Sequence, residues 1–208
     1  MNRKNLSENF NLSSYTTIKV GGVAEYFAEP RSIYELFNLI KWSKLKNQRC
    51  QIIGAGSNLL INNIFIKGLV VCTKKMKSFT IEPYSGVVEA EAGVMLPTLS
   101  NALAKKGLEG GEWAIGIPGT LGGAIYMNAG TGNLSLAKNL ISVKVINNKT
   151  LETLEIEKKD INFEYRFSSF QSNDLAIISA KLNFEPNRNI EQLINTTKNN
   201  LKLKTETQ

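Results

Sequence analysis

Fifteen residues between Gly116 and Gly130, GIPGTLGGAIYMNAG, carry five glycines. Glycine loses more conformational freedom on folding than any other residue, so a run this dense is entropically costly. A surface turn needs one or two glycines, not five. Gly122, Gly123 and Ala124 remove side chains where something flat or bulky must approach the main chain. Two readings stay open here. The segment is either a ligand cradle or a stretch of closely packed irregular backbone whose polar groups all need partners. Within it, Pro118-Gly119 fits a type II turn. Thr120 is suited to cap a helix whose N-terminus faces a phosphate.

A second glycine loop, Gly54-Ala55-Gly56-Ser57-Asn58, follows the apolar run QII. Small residues let successive N–H groups point into one concavity that binds anions. Ser57 and Asn58 add side-chain donors. The loop lacks the third glycine of a G-x-G-x-x-G turn. Leu60 and Ile61 after it read as strand instead of helix. A tight turn between strands explains this loop as well as an anion nest does.

The rest of the chain supplies a scaffold. Ser32 and Glu35 form an S-x-x-E capping box after Pro30. Ile33, Leu36, Phe37, Ile40 and Leu45 recur near helical period, which predicts a helix over 32–46. QIIG (51–54) and GLVVC (68–72) read as buried strands, and VVEAEAG (87–93) as a strand entering a turn. Pro97, the apolar face Leu96, Leu99, Leu103 and Ala104, and Gly107 as C-cap predict a second helix. SVKVI (142–146), Asn147-Asn148 and the run to Ile156 read as a hairpin, and LAIISAKLNF (175–184) as a strand. Ile190, Leu193, Ile194, Thr197 and Leu201 mark a last helix running to the C-terminus. The interleaving of strands and helices predicts an α+β fold.

Composition narrows the chemistry. There is no histidine in 208 residues, which removes a histidine base, a histidine metal ligand and a histidyl-flavin bond. With only Cys50 and Cys72, a four-ligand zinc site is hard to assemble, so no metal is expected. Both cysteines adjoin apolar runs and are expected to be buried free thiols. Net charge is +7, from 25 basic and 18 acidic residues. That suits phosphorylated small molecules, whereas nucleic-acid motifs and a basic stripe interleaved with aromatics are absent. No run approaches the ~20 apolar residues of a membrane span, and the N-terminus lacks an apolar signal core. A cytoplasmic address with no membrane partner is expected.

Six segments in order carry a resemblance. They are Tyr15-Thr16-Thr17 with Val20-Gly21-Gly22, GAGSNLLI (54–61), EAEAGVML (89–96), GLEGGEW (107–113), GIPGTLGGAIYMNAG (116–130) and EYRFSS (164–169). Together they resemble the flavin-binding portion of the UDP-N-acetylenolpyruvoylglucosamine reductase family, from about residue 12 to residue 208. Other flavoproteins of the vanillyl-alcohol-oxidase type share the fold, but MNAG followed by YR-x-S points to this family. The resemblance implies a two-subdomain FAD-binding fold of the vanillyl-alcohol-oxidase (PCMH) type. It divides the chain into 1–75, 76–188 and the start of a linker helix at 189–208.

It also implies roles. Non-covalent FAD would lie between the subdomains, held by Gly54, Ala55, Gly56, Ser57, Asn58 and Leu59 on one side. Gly93, Gly116, Ile117, Pro118, Gly119, Thr120, Gly122, Gly123, Ala124 and Ile178 would complete its site. NADPH would be the reductant and a UDP-sugar the substrate. Arg166 matches the catalytic arginine of YR-x-S, where a guanidinium stabilises developing enolate charge. Tyr165 would shape the same wall, and Asn128 would stand near the flavin or nicotinamide. Family members continue past the Thr207-Gln208 equivalent with a domain bearing a proton-donating serine and a later glutamate. Neither is in these 208 residues, so the expectation is FAD binding with impaired turnover. A non-catalytic FAD-binding module and a flavin oxidase of the same fold are the competing readings.

Overall fold

The computed structural model describes residues 6–206 apart from Asn63 and Arg188. Thr207 and Gln208, and the first five residues of the expected N-terminal subdomain, lie outside the described residues.

Four strands build a first sheet: β1 (Leu6–Asn11), β2 (Val23–Ala28), β3 (Cys50–Ile53) and β4 (Phe65–Cys72), in the order β1-β2-β4-β3. β1 runs antiparallel to β2, whereas β4 is parallel to both β2 and β3. Helix α1 (Ile33–Leu45) connects β2 to β3. Ser32 caps it by accepting from the Glu35 N–H at 3.2 Å, and the Glu35 carboxylate accepts from the Arg31 N–H at 2.8 Å. Leu36, Leu39 and Ile40 point into the core at the i, i+3, i+4 spacing of one helix face. Leu45 and Ile33, expected on that face, are exposed at the helix ends.

Five strands build a second, antiparallel sheet: β5 (Phe79–Ile81), β6 (Val87–Glu91), β7 (Leu140–Asn147), β8 (Thr153–Glu157) and β9 (Leu175–Asn183), in the order β8-β7-β9-β6-β5. Helix α2 (Leu96–Lys105) buries Leu96, Leu99, Leu103 and Ala104 against this half, and Gly107 follows it with φ +72°. Helix α3 (Leu121–Tyr126) is a single short turn-and-a-half, and α4 (Ile190–Glu206) packs back over α2. On α4, Leu193 and Thr197 are buried, while Ile190 and Leu201 are exposed.

The two sheets share a core. Ile146 of β7 and Ala176 and Ile178 of β9 pack with Leu36, Ile40, Leu69 and Val71 of the first sheet. Val143, Val145, Ala180 and Leu182 of the same two strands pack into the second core with α2 and α3. A register shift at Lys144/Val145 in the β7–β9 ladder lets one pair of strands serve both cores.

Several local readings change. Leu60 and Ile61 form no strand; they lie in irregular chain before β4, which begins at Phe65. Pro118-Gly119 is a bend with Gly119 at φ +149°, not a hydrogen-bonded type II turn. Cys72 is buried, but Cys50 is only half-buried; both are free thiols. Strands β1, β2 and β5 were not foreseen.

Candidate functional site

The 54–58 loop leaves the carboxyl end of β3, which is paired in parallel with β4. In open parallel sheets, ligands settle at the carboxyl ends of strands. Cys72 donates its thiol to Gly54 O at 3.3 Å, and Thr73 donates its hydroxyl to Ile53 O at 3.3 Å. These bonds fix where the loop starts. Gly56 then turns the chain at φ +71°, a left-handed conformation, and any Cβ there would strike the carbonyl oxygen of Tyr15. Only glycine meets both requirements.

The second glycine segment approaches from the other sheet. Leu121 N–H donates to Val94 O at 2.8 Å, Gly122 N–H to Ala92 O at 2.8 Å, and Leu96 N–H to Gly119 O at 3.0 Å. Thr120 caps α3, its hydroxyl accepting from the Gly123 N–H at 3.4 Å. The two loops then meet. Ser57 Oγ donates to Pro118 O at 2.8 Å, and a Cβ on Gly54 would collide with Thr120 Oγ1. Part of the glycine density therefore comes from close packing. Gly93 lies against the carbonyls of Thr73 and Met76, Gly122 against Ala92, and Gly116 against the aliphatic stem of Lys204. Lys204 also donates its ammonium to Trp113 O at 2.8 Å, and burial pushes its pKa down.

Gly123 differs. It is exposed, and a Cβ there would have only Thr120 Oγ1, at 3.5 Å, as a neighbour. Around it, backbone donors are unspent. Among the described residues, the N–H groups of Ala55, Gly56, Ser57, Asn58, Gly119 and Thr120 donate to no other protein group. The Ser57 hydroxyl, in contrast, has already given its proton to Pro118. Ile117 is half-buried, Pro118 and Leu59 are exposed, and Ala124 is buried beneath the cradle. Ile178 is 1% exposed and its carbonyl accepts from the Ala92 N–H, so it presents no side-chain surface to this opening.

At the far end of α3 stands the hairpin of Phe163–Glu164 and Phe167–Ser168, with Tyr165 and Arg166 at its tip. Both are exposed, and the guanidinium carbon of Arg166 lies 5.6 Å from the Tyr165 ring centroid. Arg166 has φ +57°, in the left-handed region that disfavours an arginine. A two-rung hairpin has little stability of its own. Three side chains fasten it to the end of α3. Asn128 Nδ2 donates to Glu164 O at 2.8 Å, Ser168 Oγ to Tyr126 O at 2.8 Å, and Gln171 Nε2 to Tyr126 O at 2.9 Å. Asn128 itself sits at φ +43°, and its Oδ1 is buried with no hydrogen-bond partner. Gln171 and Lys204 were not singled out from sequence. Each reaches a backbone carbonyl far along the chain, Tyr126 O for Gln171 and Trp113 O for Lys204, which leaves little local pattern to read.

Tyr15 lies under the first loop. Burial, with Glu29 adding to it, pushes its phenol up to about 12. Burial also pushes the Cys50 thiol up to about 11 and raises that of Cys72. These groups stay protonated across the physiological range and serve packing and donation. No described helix is long and apolar enough to cross a membrane.

Comparison with known proteins follows the same outline. Residues 24–154 match a family model described as an FAD binding domain. UDP-N-acetylenolpyruvoylglucosamine reductase of Prochlorococcus marinus subsp. pastoris (strain CCMP1986 / NIES-2087 / MED4) is 70% identical over 201 residues, covering 97% of this chain and 68% of that protein. Among solved structures, UDP-N-acetylenolpyruvylglucosamine reductase from Thermus caldophilus superposes with a TM-score of 0.77 at 24% identity, over 96% of this chain and 68% of that one. An alkyldihydroxyacetonephosphate synthase superposes with a TM-score of 0.66 at 15% identity, over 89% of this chain and 39% of that one. The architecture is the two-subdomain, PCMH-type FAD-binding fold.

Proposed function

The chain belongs to the UDP-N-acetylenolpyruvoylglucosamine reductase family, and on that premise we propose that it reduces UDP-N-acetylenolpyruvoylglucosamine to UDP-N-acetylmuramate through bound FAD, with NADPH as electron donor. This is a step of peptidoglycan precursor synthesis, proposed to run in the cytoplasm.

The observation that carries the reading is the cradle. Six backbone N–H groups without partners among the described residues flank an exposed glycine at the capped start of α3. That donor set fits the pyrophosphate of a dinucleotide: it supplies hydrogen bonds without a compact cationic group, and it lets a flat molecule lie against main chain. Gly54 to Leu59 would hold one side, and Ile117 to Ala124 the other. Gly93, Gly116 and Ile178 would act from behind, by setting the loops' positions. Residues 1–75 and 76–188 would be the two halves around the cofactor, with 189–208 a helix leading from the second. The break between sheets, after Cys72 and before Phe79, supports that division.

Held by the 54–59 and 117–124 loops, FAD would supply the two-electron chemistry that links NADPH to the enolpyruvyl double bond. The protein's own groups would position and polarise the substrate. Hydride addition beside a carboxylate builds enolate charge, and a fixed guanidinium in place before reaction stabilises it without reorganisation. Arg166 is the group assigned that task, with Tyr165 under its cation. Asn128 Oδ1, an acceptor without a donor, is suited to an amide or imide N–H of the flavin or nicotinamide.

The test is spectroscopic. The purified, desalted chain should keep a flavin band near ~450 nm that bleaches on anaerobic NADPH addition and returns with the UDP-enolpyruvyl sugar. A chain that remains colourless after FAD reconstitution would overturn the proposal. A flavin that bleaches with NADPH but is not reoxidised by the sugar would reduce it to a flavin-binding module.

A further inference from the structure

Arg166 poses a mechanical problem. It sits at the tip of a hairpin with two rungs, its side chain is exposed, and its backbone is left-handed. The Glu164–Phe167 pair closes the turn around Arg166, but a two-rung ladder is a weak hold. The Gln171 carboxamide adds a tertiary one. Its Nε2 carries two hydrogens, and two carbonyls lie within reach: Arg166 O at 3.2 Å and Tyr126 O at 2.9 Å. Tyr126 is the last residue of α3, so its carbonyl lacks an intrahelical partner and is available to accept. Rotating the amide by half a turn would set its oxygen against two carbonyls, so the orientation is fixed by its partners.

We propose that Gln171 is a positioning residue for Arg166, bridging the Arg166 carbonyl to the C-terminal carbonyl of the helix whose N-terminus forms the cofactor cradle. The proposal rests on the reading of Arg166 given above. Asn128 and Ser168 anchor the flanks of the hairpin, at Glu164 O and Tyr126 O. Only Gln171 touches Arg166 itself among these anchors. One rigid helix thus joins the cradle to the arginine, and Gln171 fixes the arginine's end. A guanidinium that wanders by an ångström loses much of its effect on the transition state.

The experiment compares the full chain with Gln171→Ala, with Gln171→Glu, which keeps the shape but loses both donors, and with Arg166→Ala. The first readout needs no cofactor. Trypsin cleaves after arginine, so the rate of cutting between Arg166 and Phe167 reports opening of the hairpin tip. Losing the two bonds should raise it about tenfold in both Gln171 variants. The second readout separates half-reactions. Both Gln171 variants should retain flavin and accept electrons from NADPH at the normal rate. Reoxidation by the UDP-enolpyruvyl sugar should slow about tenfold or more, towards the Arg166→Ala rate. Unchanged tryptic cutting overturns the clamp. A slowed Arg166→Ala beside normal Gln171 variants overturns the positioning role while leaving the arginine's role intact. An unimpaired Arg166→Ala removes the premise. Equal slowing of both half-reactions would mark a general structural defect, and that also overturns the proposal.

Discussion

Arg166 pairs a strained backbone with an exposed side chain, and comparing glycine with alanine there separates the two. An L-residue in the left-handed region is disfavoured by about 1–2 kcal/mol. Glycine escapes that penalty but has more freedom to lose on folding, worth about 0.5–1 kcal/mol. Both substitutions remove the contact with the Tyr165 ring, about 0.5 kcal/mol at an exposed site. The ring term cancels between them. Arg166→Gly should therefore be more stable than Arg166→Ala, by about 0.75 kcal/mol at the middle of a range of about 0–1.5 kcal/mol. At this chain length the middle value is about 1.5–3 °C in Tm. The assay is thermal unfolding of both variants with saturating FAD, followed by anaerobic reoxidation with the UDP-sugar. Each should lose about 10²–10³ in that step, as expected when one stabilising donor is removed. The combination matters: the glycine variant gains stability and still fails chemically. Equal melting temperatures would refute the backbone argument. A glycine variant with normal reoxidation would refute the role given to the guanidinium.

The remaining predictions concern the cradle and the half-buried Cys50 thiol. Gly123→Ala should leave apoprotein stability unchanged or raise it by up to about 1 kcal/mol, since it favours α3 and meets open space, yet weaken FAD binding in a fluorescence titration; unaltered affinity would place the flavin elsewhere. Gly56→Ala should fold poorly, by more than about 2 kcal/mol in denaturant melts, because φ +71° and the Tyr15 carbonyl both oppose a Cβ. Ser57→Ala removes the bond to Pro118 O and should weaken FAD binding up to about tenfold with little change in Tm. The Cys50 pKa is raised from 9.0 to about 11. Its contribution to stability is therefore whole below pH 9 and lost as pH climbs towards 11. Cys50→Ala should flatten that part of the alkaline stability profile.

Much of this was legible from short-range pattern. The capping box at Ser32 and Glu35, Pro97 and Gly107 around α2, and the 142–156 hairpin all depend on neighbours within a few residues, and all appear as expected. The glycine segments announced a cradle because entropy of that size needs a reason. What sequence could not assign was the reason for each glycine. Gly54 faces Thr120, Gly93 faces Thr73 and Met76, and Gly116 faces Lys204; such pairs come from tertiary approach. Gln171 was hidden for the same cause, since its partners are carbonyls that every residue possesses. Strands β1 and β2 are hard to read because LSENFN and VAEYFA alternate weakly and gain their apolar cover from Phe10 stacked on Phe27, with Tyr15 edge-on to both.

The collision course between Gly54 and Thr120 has an evolutionary corollary. Those two positions lie in loops far apart in the sequence, yet neither can change freely. A side chain at 54 would require the hydroxyl at 120 to go, and losing that hydroxyl uncaps α3. Each single step therefore crosses a valley, and only a double change, with a new cap found elsewhere, leads out. As this lineage diversifies, the pair should stay locked as glycine and a small hydroxyl residue while the exposed faces of both sheets drift.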